Sequence, residues 1–150
     1  MTWRACGTDE HALVASLVLA LYEEDPAPTP VTLEGARRTL RRLEAEPVRG
    51  RAVLHGDGFG IDAYALLCSF WSNELGGEVC IVDELYVVPS ARRRGIASRL
   101  IGGLAGRELP WFRDAVALEL EVTPGNVRAR ALYERLGFAA YKNALMRLRM

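Results

Sequence analysis

Between Arg51 and Val88 three apolar runs stand too close together for a helix to lie between them. Residues 52–55, 61–71 and 78–88 are separated by Gly56, Asp57 and Gly58 and then by residues 73–77. A parallel neighbour needs a crossover of a dozen or more residues, whereas a short glycine-bearing turn returns the chain antiparallel. The three runs are therefore expected to be consecutive antiparallel strands, and the rest of the chain has to be arranged around that meander.

On the N-terminal side, residues 2–6 suit a short first strand. Asp9 is placed to cap a helix in which Leu13, Leu17, Ala20 and Leu21 recur at helical spacing, ending near Glu24. Residues 25–30 hold Pro26, Pro28 and Pro30 and read as a loop. Thr32 then caps a second helix whose Leu33, Ala36, Leu40 and Leu43 share a face, with Arg37, Arg38, Arg41 and Arg42 on the wet side. After the meander the pattern predicts a helix from about Arg92 to Arg107. A strand over residues 115–123 follows, in which Val116, Leu118, Leu120 and Val122 alternate with Ala117, Glu119 and Glu121. Asn126 and Gly137 bound a last helix as N-cap and C′ residues, and residues 138–149 read as a final strand or hairpin. No repeat or long linker divides residues 1–150, which are expected to form one domain.

The formal net charge is zero, so no global field draws nucleic acid or an anionic membrane, and any anion site is local. Lys142 is the one lysine among 19 basic residues, which makes arginine the default cation. Cys6, Cys68 and Cys80 are odd in number, widely spaced and set among apolar residues, which suits reduced structural thiols in a reducing compartment. Residues 1–8 carry no secretory signal pattern and no apolar run is long enough to span a bilayer, so a cytoplasmic location is expected. No His, Cys or carboxylate spacing recommends a metal.

The local anion site is the stretch ARRRGIASRL, residues 91–100. Pro89 ends a strand, and Arg92, Arg93 and Arg94 precede Gly95, Ile96, Ala97 and Ser98 at a helix start. The first helical N–H groups lack intrahelical acceptors and the macrodipole is positive there, so a phosphate is welcome. Gly95 and Ala97 keep little side chain between a ligand and those amides. Arginines at that end oppose the dipole unless an anion is present. The glycines match neither a Walker A loop nor a G-x-G-x-x-G fingerprint.

Read as R-x-x-G-x-A, Arg92, Gly95 and Ala97 resemble the coenzyme A pyrophosphate loop of the GNAT family of N-acetyltransferases. The preceding VDELYVVP resembles that family's fourth strand. NVRARALYERLGF resembles its closing motif, with Asn126, Ala129, Tyr133, Gly137 and Phe138 at matching offsets. Arg93 stands where many members have Gly, and Ala97 replaces the commoner second Gly. The likeness is sharp over residues 79–138. It implies a mixed α/β fold, in which about four helices flank a central, mostly antiparallel twisted sheet of six to seven strands. It also implies acetyl-CoA as cofactor, held by Leu85, Tyr86, Val87 and Val88, by the loop from Arg92 to Ser98, and by Asn126, Ala129 and Tyr133.

Direct acetyl transfer to an amine needs a polarised thioester carbonyl, a base for the ammonium and a proton for the leaving thiolate. The resemblance assigns the first to strand N–H groups among residues 85–88 and the last to Tyr133. Asp83 and Glu84 are the candidate bases. Adjacent strand residues point to opposite faces, and Asp83, sharing its parity with Leu85 and Val87, is expected first, with Glu84 as the fallback. Trp71, Asp83, Glu84, Glu119 and Glu121 are expected to form an aromatic and acidic acceptor pocket. The likeness extends toward polyamine acetyltransferases, but an amino acid, another small amine or a protein lysine fits the same chemistry. The expected partner is thus a small-molecule or protein amine, without nucleic acid or membrane and with a homodimer left open. The competing reading is an acyl-CoA-binding sensor or interaction module that keeps the fold without turnover.

Overall fold

The computed structural model describes residues 2–57 and 60–150. Five strands form one sheet in the order β1 (Trp3–Ala5), β2 (Gly50–Asp57), β3 (Gly60–Ser72), β4 (Gly77–Val87) and β5 (Ala117–Leu120). The first four are antiparallel neighbours in sequence order, as the short turns require, and β5 alone joins in parallel, after a crossover through a helix. Gly58, expected in the first turn, lies outside the described residues.

Strand alternation gives the sheet two apolar faces, and each is covered. On one, Trp3, Val53, Ala65, Leu67 and Val82 pack against Ile96, Leu100 and Leu104 of α3 (Ile96–Ala105). On the other, Leu54, Tyr64, Leu66 and Tyr86 pack against Val14 and Val18 of α1 (His11–Glu24) and Leu40 and Leu43 of α2 (Leu33–Ala45). Thr32 caps α2 by accepting the Gly35 N–H at 3.0 Å. Asn126 caps α4 (Val127–Arg135) by accepting the Ala129 N–H at 3.2 Å.

Several boundaries differ from the sequence expectation for identifiable reasons. Asp9 does not cap α1. Residues Thr8–Glu10 form a 3-10 turn, and Glu10 instead accepts the Gly7 N–H at 2.9 Å while binding Arg4. The third helix begins at Ile96 rather than near Arg92, because Arg93 (φ 66°) and Gly95 (φ 72°) are left-handed and cannot continue a right-handed helix. It ends at Ala105, with Arg107 again at positive φ. The ladder of β5 covers Ala117–Leu120 where a strand over residues 115–123 was expected.

Residues 138–149 form no strand, so the sheet has five strands among the described residues rather than six or seven. Within this segment Tyr141 donates to Glu74 and Arg149 donates to Thr29, and Leu145, Met146 and Leu148 are exposed. No helix of the described residues is long and apolar enough to cross a membrane.

Candidate active site

β4 and β5 stay in register from Val79 opposite Ala117 to Val82 opposite Leu120, where their pairing stops, while β4 remains paired with β3 as far as Val87. A bulge marks the break: Leu67 opposes Val82 and Leu66 opposes Glu84, so Asp83 is the extra residue. The Val88 N–H donates to the Asp62 carbonyl at 2.8 Å. By period-two alternation the N–H groups of Tyr86 and Glu84 also turn toward β3, and those of Leu85 and Val87 turn outward, past the point where β5 supplies acceptors. Two strand amides without a ladder partner form a donor site for a carbonyl oxygen.

The chain then passes through a 3-10 turn at Pro89–Ala91 into the exposed loop of Arg92, Arg93, Arg94 and Gly95. Arg93 occupies the left-handed region, which explains why a glycine is at home there and why this chain holds strain at that point. Together with Gly95 it turns the loop's N–H groups and the start of α3 toward one side, a backbone concavity suited to phosphate. Arg92 is otherwise engaged. Its Nη2 lies 2.8 Å from both carboxylate oxygens of Glu24, its Nε donates to the Val87 carbonyl at 2.9 Å, and its guanidinium sits 5.6 Å from the Tyr86 ring centre. Arg99 donates to the Arg94 carbonyl at 2.8 Å. The donors presented to an anion are the loop's backbone amides together with the exposed guanidinium groups of Arg93 and Arg94, and the residues fit a coenzyme A pyrophosphate. The end of α1 also reaches across the β4–β5 gap, where Thr123 donates to the Asp25 carboxylate at 2.8 Å.

Tyr133 lies in α4, half-buried, with its ring edge-to-face on Phe138 at 5.7 Å. The Phe138 N–H returns to the Tyr133 carbonyl at 3.0 Å and the Gly137 N–H to Glu134 at 3.1 Å, a helix end that Gly137 (φ 98°) makes possible. Leu136 and Phe138 tie this end to the α3-side core. Burial pushes the Tyr133 phenol above its ordinary range, so it keeps its proton at neutral pH. Ala129 donates its N–H to the cap of α4, and Arg130 pairs with Glu134 at 2.8 Å.

On the opposite face, α1, α2 and the sheet line an open cavity of ≈ 320 Å³ that has Glu84 in its lining. Tyr22 of α1 donates to Glu84 Oε2 at 2.6 Å, and Tyr64 of β3 donates to Oε1 at 3.0 Å. Burial raises the Glu84 carboxyl, and Asp83 adds to the rise. The two phenols act against it by stabilising the carboxylate.

Val82, Leu85 and Val87 pack on the α3 side and Glu84 faces α1 and α2, so the bulge between Val82 and Glu84 takes Asp83 out of the regular alternation. Asp83 and Glu84 stand next to each other at that bulge. Both push up the Cys68 thiol, already raised by burial, to about 11. Asp83 is exposed, raised first by desolvation and then by Glu121, and held back by Arg147.

The acidic and aromatic acceptor pocket is not assembled as expected. Trp71 is 69% exposed and opposes Glu78, at the other end of β4 from Asp83, while Glu119 opposes Ile81 inside the parallel ladder. Tyr22, Tyr64 and Glu24 escaped the sequence reading. Tyr22 follows Val18 by one helical turn, and that spacing was the one local signal of a shared face. The three cysteines are free, and burial leads the rise of Cys6 and Cys80 to about 12, consistent with structural thiols. No group of three or more metal-ligating side chains occurs among the described residues.

The profile of the acetyltransferase (GNAT) family matches residues 19–138. The chain belongs to the GNAT family. It is 32% identical over 108 residues to the uncharacterized N-acetyltransferase YhfO of Bacillus subtilis strain 168, across 71% of this chain and 69% of that one. Its fold is similar to that of a possible acetyltransferase from Clostridium difficile 630, with a TM-score of 0.83, 18% identity and 99% and 97% of the two chains covered. A predicted acetyltransferase from Clostridium acetobutylicum solved with acetyl-CoA superimposes with a TM-score of 0.74 at 17% identity, covering 98% and 95%. This GNAT protein is an N-acetyltransferase, of a family whose acyl donor is acetyl-CoA.

Proposed function

We propose that the acceptor amine reaches the reaction centre through the cavity between α1, α2 and the sheet, and that Glu84 takes its proton. The observation that carries this reading is the position of Glu84. It lies in the wall of that cavity, one residue before the outward-facing Leu85 amide at the β4–β5 break. When bound, acetyl-CoA supplies an acetyl group activated as a thioester. The outward N–H groups of Leu85 and Val87 hold the carbonyl oxygen and stabilise the negative charge that gathers there during attack. The backbone of Arg93, Arg94, Gly95, Ile96, Ala97 and Ser98 holds the pyrophosphate.

An ammonium group of pKa near 10 must lose a proton before it can attack. Glu84 is suited to accept it, because burial raises its carboxyl toward the working range while Tyr22 and Tyr64 hold it in place. Tyr133 keeps a proton on its phenol and delivers it to the sulfur as the carbon–sulfur bond breaks. The acetyl group passes directly from sulfur to nitrogen. Two protons leave the ammonium in all, one to Glu84 before attack and one as the amide forms. The second replaces the proton that Tyr133 gives to the sulfur, so amide, thiol and one released proton are the net products. Asp83, on the exposed bulge beside Glu121, is left to bias the charge of the region.

Steady-state thiol release on a panel of primary amines, in wild type and Glu84→Gln, tests the reading. It requires a rate loss of about a hundredfold or more in the variant at saturating acetyl-CoA with unchanged acetyl-CoA affinity. Unchanged turnover removes Glu84 as the base.

A further inference from the structure

We infer that the acceptor is a primary amine on a compact, uncharged body, an alkylamine or arylalkylamine, and that polyamines and amino acids are poor substrates. This rests on the reading that the amine enters the α1–α2 cavity and meets Glu84. At ≈ 320 Å³ the cavity is at the small end for ligand sites. Its walls include Val18, Val31, Ala36, Leu40 and Leu66, all apolar.

The polar groups beside Glu84 already have partners. Tyr22 is bonded to Glu84, Thr32 accepts the Gly35 N–H, and Thr39 donates to the Gly35 carbonyl at 3.2 Å. Glu84 is the sole carboxylate in the lining, and no Arg, Lys or His lines the cavity among the described residues. An ammonium at Glu84 is matched by one charge. The far end of the same molecule then meets no side chain that can pair a second ammonium or a carboxylate, whereas an alkyl or aryl group there gains apolar contact with Val18, Val31 and Leu66.

The nearby carboxylate that a diamine would have to reach is Glu23. It lines a neighbouring cavity that shares Tyr22, Pro30 and Val31 with the first. Arg149 donates to Thr29, which lines that neighbouring cavity too. The charged groups thus stand beyond the shared wall of Tyr22 and Val31, while the space in front of Glu84 holds no second charged side chain.

Hexylamine, the terminal diamine of the same chain length and the corresponding terminal amino acid separate the classes by charge alone. The expected kcat/KM for hexylamine exceeds each of the other two by about tenfold or more. Across shorter alkylamines it climbs about threefold per methylene until the cavity is filled. Thr39→Glu, a change at an exposed position of the lining, adds a carboxylate to the wall and is expected to improve the diamine relative to hexylamine by about tenfold. A tenfold preference of the wild type for the diamine or the amino acid overturns the class. If the diamine preference is lost in Glu23→Gln, the second cavity is the reason.

Glu84→Gln assayed on the best amine keeps the two questions apart. A hundredfold loss there upholds the entry route whichever amine wins. Retained turnover overturns the route and this inference with it.

Discussion

The two sides of the β4–β5 break are built by different means. The proposed cofactor side is built mainly on backbone: two outward strand amides, a loop turned by left-handed Arg93 and Gly95, and the start of α3. Those groups lie within a dozen consecutive residues. The acceptor side consists of side chains from four elements, with Tyr22, Tyr64 and Glu84 joined over separations of 62 and 20 residues. A backbone site tolerates side-chain variation provided the φ angles and small residues are kept. A side-chain site changes its substrate when one wall residue changes. The difference accounts for a cofactor site that leaves a local signature and an acceptor site that leaves none.

If that contrast holds, the largest effect belongs to Gly95→Glu, which forces an L residue to φ 72° and sets a carboxylate among the phosphate-binding amides. Acetyl-CoA binding by calorimetry is expected to vanish, and retained binding would move the anion site elsewhere. Next is Glu84→Gln, expected to lower kcat/KM by about a hundredfold to ten-thousandfold. Its effect on stability runs the other way. A carboxyl raised in the folded state is ionised at a cost as pH rises through its folded pKa, so removing it should raise the melting temperature by about 1–3 °C at neutral pH. A fall in melting temperature would mean that its bonds to the two tyrosines outweigh that cost.

Tyr133→Phe should lower turnover by about tenfold to a thousandfold with little change in acetyl-CoA affinity, and an unchanged rate would remove its acid role. Tyr22→Phe takes away a hydrogen bond that favours the Glu84 carboxylate. The carboxyl rises further, and the acidic limb of the kcat/KM profile should move to higher pH; a shift to lower pH would contradict the arrangement. The smallest change is expected from Glu24→Gln. This exposed pair with Arg92 contributes little, and acetyl-CoA affinity should move by less than about threefold. A tenfold gain would show instead that Arg92 leaves Glu24 for the phosphates and that the cofactor side, too, depends on a side chain.

The meander, the caps at Thr32, Asn126 and Gly137, and the loop around Gly95 were legible because each depends on residues within one turn or one hairpin. The start of α3 was misjudged by four residues, since nothing in three successive arginines announces that the second adopts positive φ. Strand parity favours Asp83 over Glu84, but the bulge takes Asp83 out of the alternation and Glu84 is the carboxylate that lines the α1–α2 cavity. Residues 138–149 looked like a strand by composition, yet a strand exists only where a neighbour takes up its hydrogen bonds, and here Tyr141 and Arg149 donate to Glu74 and Thr29 without a ladder.

What the chain's order of residues determined by itself was therefore the antiparallel meander, the caps of α2 and α4 and the glycine-bearing loop ahead of α3, features governed by turn length, periodicity and glycine. Tertiary structure alone decided which carboxylate stands in the acceptor cavity, which tyrosines hold it and how apolar its walls are. The bulge at Asp83 and the packing of α1 and α2 on Leu66 and Tyr64 set those relations, and they arise from contacts between residues far apart in the chain.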